Sequence, residues 1–213
     1  MMYSRNIREV SCMSSAGAIT LIEILIVTGI FSFVSMFAFN FFYDMLTYNR
    51  SLQDSLIVSY SAGKTLQTMS AEIRAAGPSV TGAFPIAEAT TTAFTFYSDI
   101  NGDGLREQIR YSVSGTDLMK RTISPSGNPL GYVMSSAATT TIAESVRSTS
   151  TIFAFFDSAF NGVTSTSSLP LPVNVQLIRM VRINLIIDRD IRKSPEPIVV
   201  QTQTVIRNLK DNL

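Results

Sequence analysis

Histidine is absent from this 213-residue chain. Its absence removes the usual serine-hydrolase triads, most zinc sites and any imidazole acid–base chemistry. Cysteine occurs once, at Cys12, so no disulfide can close within the chain. The residues before it, Arg8-Glu9-Val10-Ser11, carry two charges where lipoprotein acylation needs an apolar stretch. Charge is scarce: 15% of residues are charged, 46% are hydrophobic, and the net charge is +1. There is thus no overall electrostatic case for a nucleic-acid partner, and a membrane-anchored globular protein fits the balance better than a soluble one. No proline occurs before Pro78, and no charge occurs between Glu23 and Asp44.

That charge-free interval is the most informative feature present. Ile24 to Tyr43 is almost wholly apolar and would span about 30 Å as a helix, enough to cross a bilayer. Glu23 stands at its edge, where a carboxylate is expensive unless it has a purpose. Arg5 and Arg8 lie before the run and Asp44 after it. The positive-inside rule therefore puts the N-terminus in the cytoplasm and the bulk of the chain outside the membrane.

Ala18-Ile19-Thr20-Leu21-Ile22-Glu23 resembles the processing site of type IV prepilins and type II secretion pseudopilins: a small residue, the scissile bond, a hydrophobic-Thr-Leu-Ile/Val-Glu sequence, then an apolar helix. The resemblance implies cleavage between Ala18 and Ile19 by a prepilin peptidase and N-methylation of Ile19. Glu23 then becomes the fifth residue of the mature chain, the family position for this acid. Glycine is usual before the cut. Cleavage after Gly17 would make Glu23 the sixth residue, and Ala18 keeps it in register.

The resemblance also implies a role for Glu23 in assembly, meeting the Ile19 amine of a neighbouring subunit. The alternative is a carboxylate reaching the headgroups without a partner. Two further departures, no disulfide in the mature chain and no proline within the apolar run, point to a minor subunit rather than a major pilin. Within the domain, Ser98 to Gly104 followed by Ile109-Arg110-Tyr111, Ile142 to Val146 before Phe153 to Asp157, and Val205 to Leu209 are similar to minor pseudopilins of the J type and their pilus counterparts.

The chain divides by pattern into a leader, 1–18, a transmembrane assembly helix, 19–43, an amphipathic continuation, 44–77, and an extracytoplasmic β-rich domain, 78–213. The helix is expected to run from Ile19 to Ala76. Leu52, Leu56, Ser59, Ala62, Leu66, Met69, Ile73 and Ala76 recur at steps of three and four and mark one face for packing on the domain. Gly77-Pro78 reads as the stop, with glycine permitting a left-handed cap. Gly29, Ser32 and Ser35 either allow close approach between helices or reflect ordinary tolerance of small residues in membranes.

Period-two patterns predict strands at Ala93–Ser98, Gln108–Val113, Asp117–Ile123, Thr151–Asp157, Met180–Asp188 and Pro197–Leu209. Ser/Thr-rich stretches at 135–141 and 164–168 read as loops, and Thr141–Arg147 as a helical turn. The fold class is α+β, a long helix lying on an antiparallel sheet.

Asp99-x-Asn101-x-Asp103-Gly104 matches the opening half of a calcium loop, with Glu107 standing in for the missing bidentate acid. The rival reading is a tight turn built from Asn-Gly and Asp-Gly. Lys120-Arg121 and Arg179/Arg182 read as solvated basic pairs. Together these features predict a minor pilin or pseudopilin rather than an enzyme. It would work with other minor subunits, the peptidase and an inner-membrane assembly platform, first in the inner membrane and then in a pilus or pseudopilus. A tip subunit whose loops 124–150 or 158–174 bind a surface, cargo or DNA shares the same anchor.

Overall fold

Helix α1, Leu21–Arg74, dominates the computed structural model, which describes residues 20–147, 151–160, 168–188 and 197–209. With no proline before Pro78, nothing in the sequence blocks its hydrogen-bond ladder. The helix ends two residues before the expected Ala76, and Ile19, its expected start, lies outside the described residues. Gly77 does not act as a left-handed cap, since its φ is not positive. It makes room instead: a Cβ there would lie 2.5 Å from Arg106 Nε. Arg106 Nη1 donates to the Pro78 carbonyl at 3.2 Å, and the Gly77 N–H donates to the Tyr97 carbonyl at 2.9 Å.

The chain separates into two units, residues 1–50 and 51–213. In the second, a five-stranded antiparallel sheet has the order β1-β2-β3-β4-β7. Its strands are β1 (Ile86–Ala89), β2 (Ala93–Ser98), β3 (Glu107–Ser114), β4 (Asp117–Ile123) and β7 (Ala138–Ala143). The short pair β5 (Pro125–Ser126) and β6 (Gly131–Tyr132) sits between β4 and β7 in sequence. A second antiparallel sheet, order β10-β9-β8, comprises β8 (Phe153–Phe156), β9 (Met180–Ile187) and β10 (Ile198–Val205). The α+β class holds, with two sheets under the helix rather than the single sheet expected.

Alternation explains the core. Ile109 and Tyr111 of β3 are fully buried, as are Val181, Ile183 and Leu185 of β9. The phenylalanines of β2 and β8 join the two sheets: the Phe94 ring lies 5.9 Å from Phe153 and 5.3 Å from Phe155. Along α1, Leu66, Met69 and Ile73 are buried in the same core, joined by Ala76 just past the end of the helix, and Ala62, one turn before Leu66, is buried as well. The first part of the expected stripe is not: Leu52, Leu56 and Ser59 are exposed. Polar ties fix the helix on both sheets. Thr65 Oγ1 donates to the Ile142 carbonyl, Thr204 Oγ1 to the Ser70 carbonyl, and Asn208 Nδ2 to the Ala76 carbonyl.

Two loop expectations are corrected. The stretch 135–141 supplies most of β7, because Thr139-Thr140-Thr141-Ile142 is a β-branched run that pairs with β4 despite its polar side chains. Residues Thr141–Arg147 do not form a helical turn: Ser145 adopts φ 59°, and Val146 then bridges to Ile187 of β9. The final strand stops at Val205 and is followed by a 3₁₀ turn, Arg207–Leu209. Of the expected loop 164–168, all but Ser168 lies outside the described residues.

Candidate functional site

The head of α1 begins with Thr20-Leu21-Ile22-Glu23, a Thr-x-x-Glu capping pattern. The Glu23 N–H meets Thr20 Oγ1 at 3.4 Å and the Thr20 carbonyl at 3.1 Å, so Thr20 serves as the helix cap. Glu23, in the first turn, also complements the positive end of the helix dipole. Its side chain is exposed, and among the described residues no basic group forms an ion pair with it. Gly17, Ala18 and Ile19, the residues around the expected cut, lie outside the described residues.

Behind Glu23 the helix presents apolar surface on every side. Leu21, Ile24, Phe31, Phe37 and Phe41 are each more than half exposed. The most apolar window has a mean hydropathy of 2.2, and none of it is buried among the described residues. That separates α1 from the core helix of a soluble protein, which hides its apolar surface against its own fold. The N-terminal half of α1 is therefore a candidate membrane span.

Three of its polar side chains are satisfied by the helix's own carbonyls, as suits a hydrocarbon environment. Thr28 Oγ1 donates to the Ile24 carbonyl at 2.9 Å, Ser32 Oγ to Thr28 at 2.8 Å, and Asn40 Nδ2 to Met36 at 2.8 Å. A Cβ at Gly29 would meet nothing within 4 Å, so no packing among the described residues demands glycine there.

The acidic loop after β2 is built as a turn. Asp99 accepts the N–H groups of Gly102 at 2.7 Å and Gly104 at 2.9 Å, one on each carboxylate oxygen. Asp103 accepts from Leu105 N–H at 2.7 Å and Asn101 Nδ2 at 2.9 Å, and Asn101 Oδ1 accepts from Asp103 N–H. Both glycines take positive φ, 79° and 84°, which explains their identity. Glu107 is buried and accepts from Ile100 N–H at 3.1 Å. A calcium ion needs six to eight converging oxygens. Here the oxygens are given to backbone amides, and among the described residues no group of three or more His, Cys, Asp or Glu could hold a metal ion. As placed, Asp99, Asn101, Asp103 and Glu107 do not fit calcium.

The most concentrated polar node was invisible to periodicity. Glu72, beside Ile73 on α1, accepts the Tyr111 phenol on Oε2 at 2.5 Å and meets Lys120 Nζ with Oε1 at 2.5 Å. The side chains of Lys120 and Glu72 are only 16% and 12% exposed. Burial and the adjacent Glu72 carboxylate push the Tyr111 phenol well above its ordinary range. Lys120 is thus not part of a solvated pair. The 114–117 hairpin sets Lys120 opposite Tyr111, and that register was the available signal.

Arg182 is not freely solvated either, since its guanidinium lies 4.6 Å from the centre of the Phe156 ring. Arg110 pairs with Glu88 and donates to Thr95 Oγ1 at 3.1 Å. Its cross-strand neighbour is Arg121.

No protein-family model matches the chain, and no curated protein matches it. The architecture itself is pilin-like: a long N-terminal helix, apolar in its first half, whose second half packs on antiparallel sheet.

Proposed function

We propose that this chain is a minor pilin or pseudopilin, a structural subunit that enters the inner membrane as a precursor and then joins a pilus or pseudopilus at or near its tip. One observation carries the reading. Among the described residues nothing covers the apolar half of α1, headed by Thr20 and Glu23, while the same helix continues into Leu66, Met69 and Ile73 of the domain core. A discarded signal sequence has no reason to share a helix with the core. A retained assembly helix does.

In this account prepilin peptidase cuts between Ala18 and Ile19, and Ile19 is N-methylated. Glu23 then meets the Ile19 amine of a neighbouring subunit. Inside a low-dielectric bundle such a pair is far stronger than in water and fixes axial register. The chain acts as a structural part and as the substrate of its processing enzyme, not as a catalyst; with no histidine it lacks the commonest catalytic base. Its partners are other minor subunits and the inner-membrane assembly platform.

Co-purification from detergent-solubilised membranes tests the assembly step. The wild-type chain should bring other minor subunits with it. Glu23→Leu should be processed and stay in the membrane while co-purification falls at least about tenfold, the equivalent of about 1.4 kcal/mol. Unchanged co-purification of Glu23→Leu would refute the role given to Glu23.

A further inference from the structure

A cleft of about 190 Å³ opens between α1 and the five-stranded sheet, walled by Lys64, Thr68, Met69, Tyr111, Lys120 and Ile142. Two ammonium groups line it, and no carboxylate does. Lys120 carries three N–H donors. One meets Glu72 Oε1, and Glu72 Oε2 already accepts from Tyr111. The Lys120 side chain keeps only 16% exposure and lines the cleft, where an acceptor would meet its remaining donors with little competition from bulk water.

The threonines at the cleft offer no competing charge and have committed their protons elsewhere. Thr65 Oγ1 donates to the Ile142 carbonyl and Thr68 Oγ1 to the Lys64 carbonyl. Lys64 is exposed at the rim. Among the described residues, Lys64 and Lys120 set against Glu72 leave one positive charge in excess at the cleft. Met69 and Ile142 supply apolar walls, which lower the local dielectric and strengthen attraction for an anion.

We propose that this cleft is a binding site for a small oxyanion, a phosphate or a carboxylate group, held by Lys120 at its base and Lys64 at its rim. Lysines act as point charges rather than planar forks, so the site reads charge and size more than planar geometry. The proposal is independent of the assembly reading, because every residue it uses lies in the 51–213 unit.

Lysine 13Cε–1Hε resonances of the full chain in detergent micelles give the test. Sodium phosphate and sodium acetate are titrated separately at constant ionic strength, against wild type and Lys64→Gln, an exposed position whose replacement leaves the Glu72–Lys120 contact in place. Lys64 and Lys120 should shift together and saturate, with affinity near the millimolar range. Lys64→Gln should weaken binding about fivefold, the scale of one exposed charge. Saturation by phosphate alone identifies a phosphate site. Saturation by acetate as well identifies a carboxylate site. Shifts that stay linear with both anions, or an affinity that Lys64→Gln does not change, would overturn the proposal.

Discussion

Glu72→Gln is the sharpest probe of how the helix is held to the sheet. The substitution keeps the shape of the side chain and an oxygen able to accept the Tyr111 phenol, but it removes the charge facing Lys120 Nζ, 2.5 Å away in the wild type. Breaking a fully buried ion pair by removing one partner costs about 3–5 kcal/mol. Here the two side chains keep 12% and 16% exposure, so some water reaches the stranded ammonium. Discounted for that access, the loss should be about 2–3 kcal/mol.

For a chain of this size that is a drop in Tm of roughly 5–10 °C, measured by thermal and urea unfolding in micelles. The combined variant Glu72→Met, Lys120→Met and Tyr111→Phe replaces the node with apolar groups and leaves no buried charge. It should recover most of the loss. A Glu72→Gln loss below about 0.5 kcal/mol, the scale of an ordinary surface pair, would refute the claim that this node fastens the helix.

Tyr111 carries a pH signature. Its phenol titrates higher in the folded chain than in the unfolded one, so the native state keeps a proton that the unfolded state releases above pH of about 10. Stability should therefore fall there by up to about 1.4 kcal/mol per pH unit for this one group. Tyr111→Phe should remove that increment, and an unchanged alkaline slope would contradict it. Gly63 lies within α1, and a Cβ there meets nothing within 4 Å; Gly63→Ala should stabilise by about 0.5–1 kcal/mol in urea unfolding. Asp99→Ala removes the acceptor for two N–H groups and should cost about 1–2 kcal/mol. Calcium should leave the wild-type Tm unchanged, and a rise of several degrees would show that the loop binds the ion after all.

Much of the fold was legible because its signals are local. The apolar run after Glu23, the stripe from Ala62 to Ala76 and the alternation in β3 and β9 each depend on residues close in sequence. The misses are tertiary. β7 hid because threonine is common in both loops and strands, and only pairing with β4 decides between them. Leu52 and Leu56 continue the helical period, yet the sheets do not reach them, and periodicity cannot show where a partner surface ends.

The site divides along the same line. Thr20 and Glu23 were readable as a pattern. The Glu72 node needs three elements brought together: the hairpin register sets Lys120 opposite Tyr111, but nothing in the spacing brings Glu72 of the helix to them. The acidic loop had the right residue types for calcium, but their oxygens serve the backbone amides of the two positive-φ glycines and their neighbours. Composition cannot separate those two uses of a carboxylate.

The central claim is that the chain is processed at Ala18–Ile19 and keeps its apolar helix. Intact mass of the protein from membranes, with and without a co-expressed prepilin peptidase, tests it most directly. Loss of residues 1–18 together with gain of one methyl group, abolished by Ala18→Asp, is the expected result and sets Glu23 as the fifth residue. An uncut chain beside a control prepilin cut by the same enzyme would contradict the account and leave a single-span anchored domain.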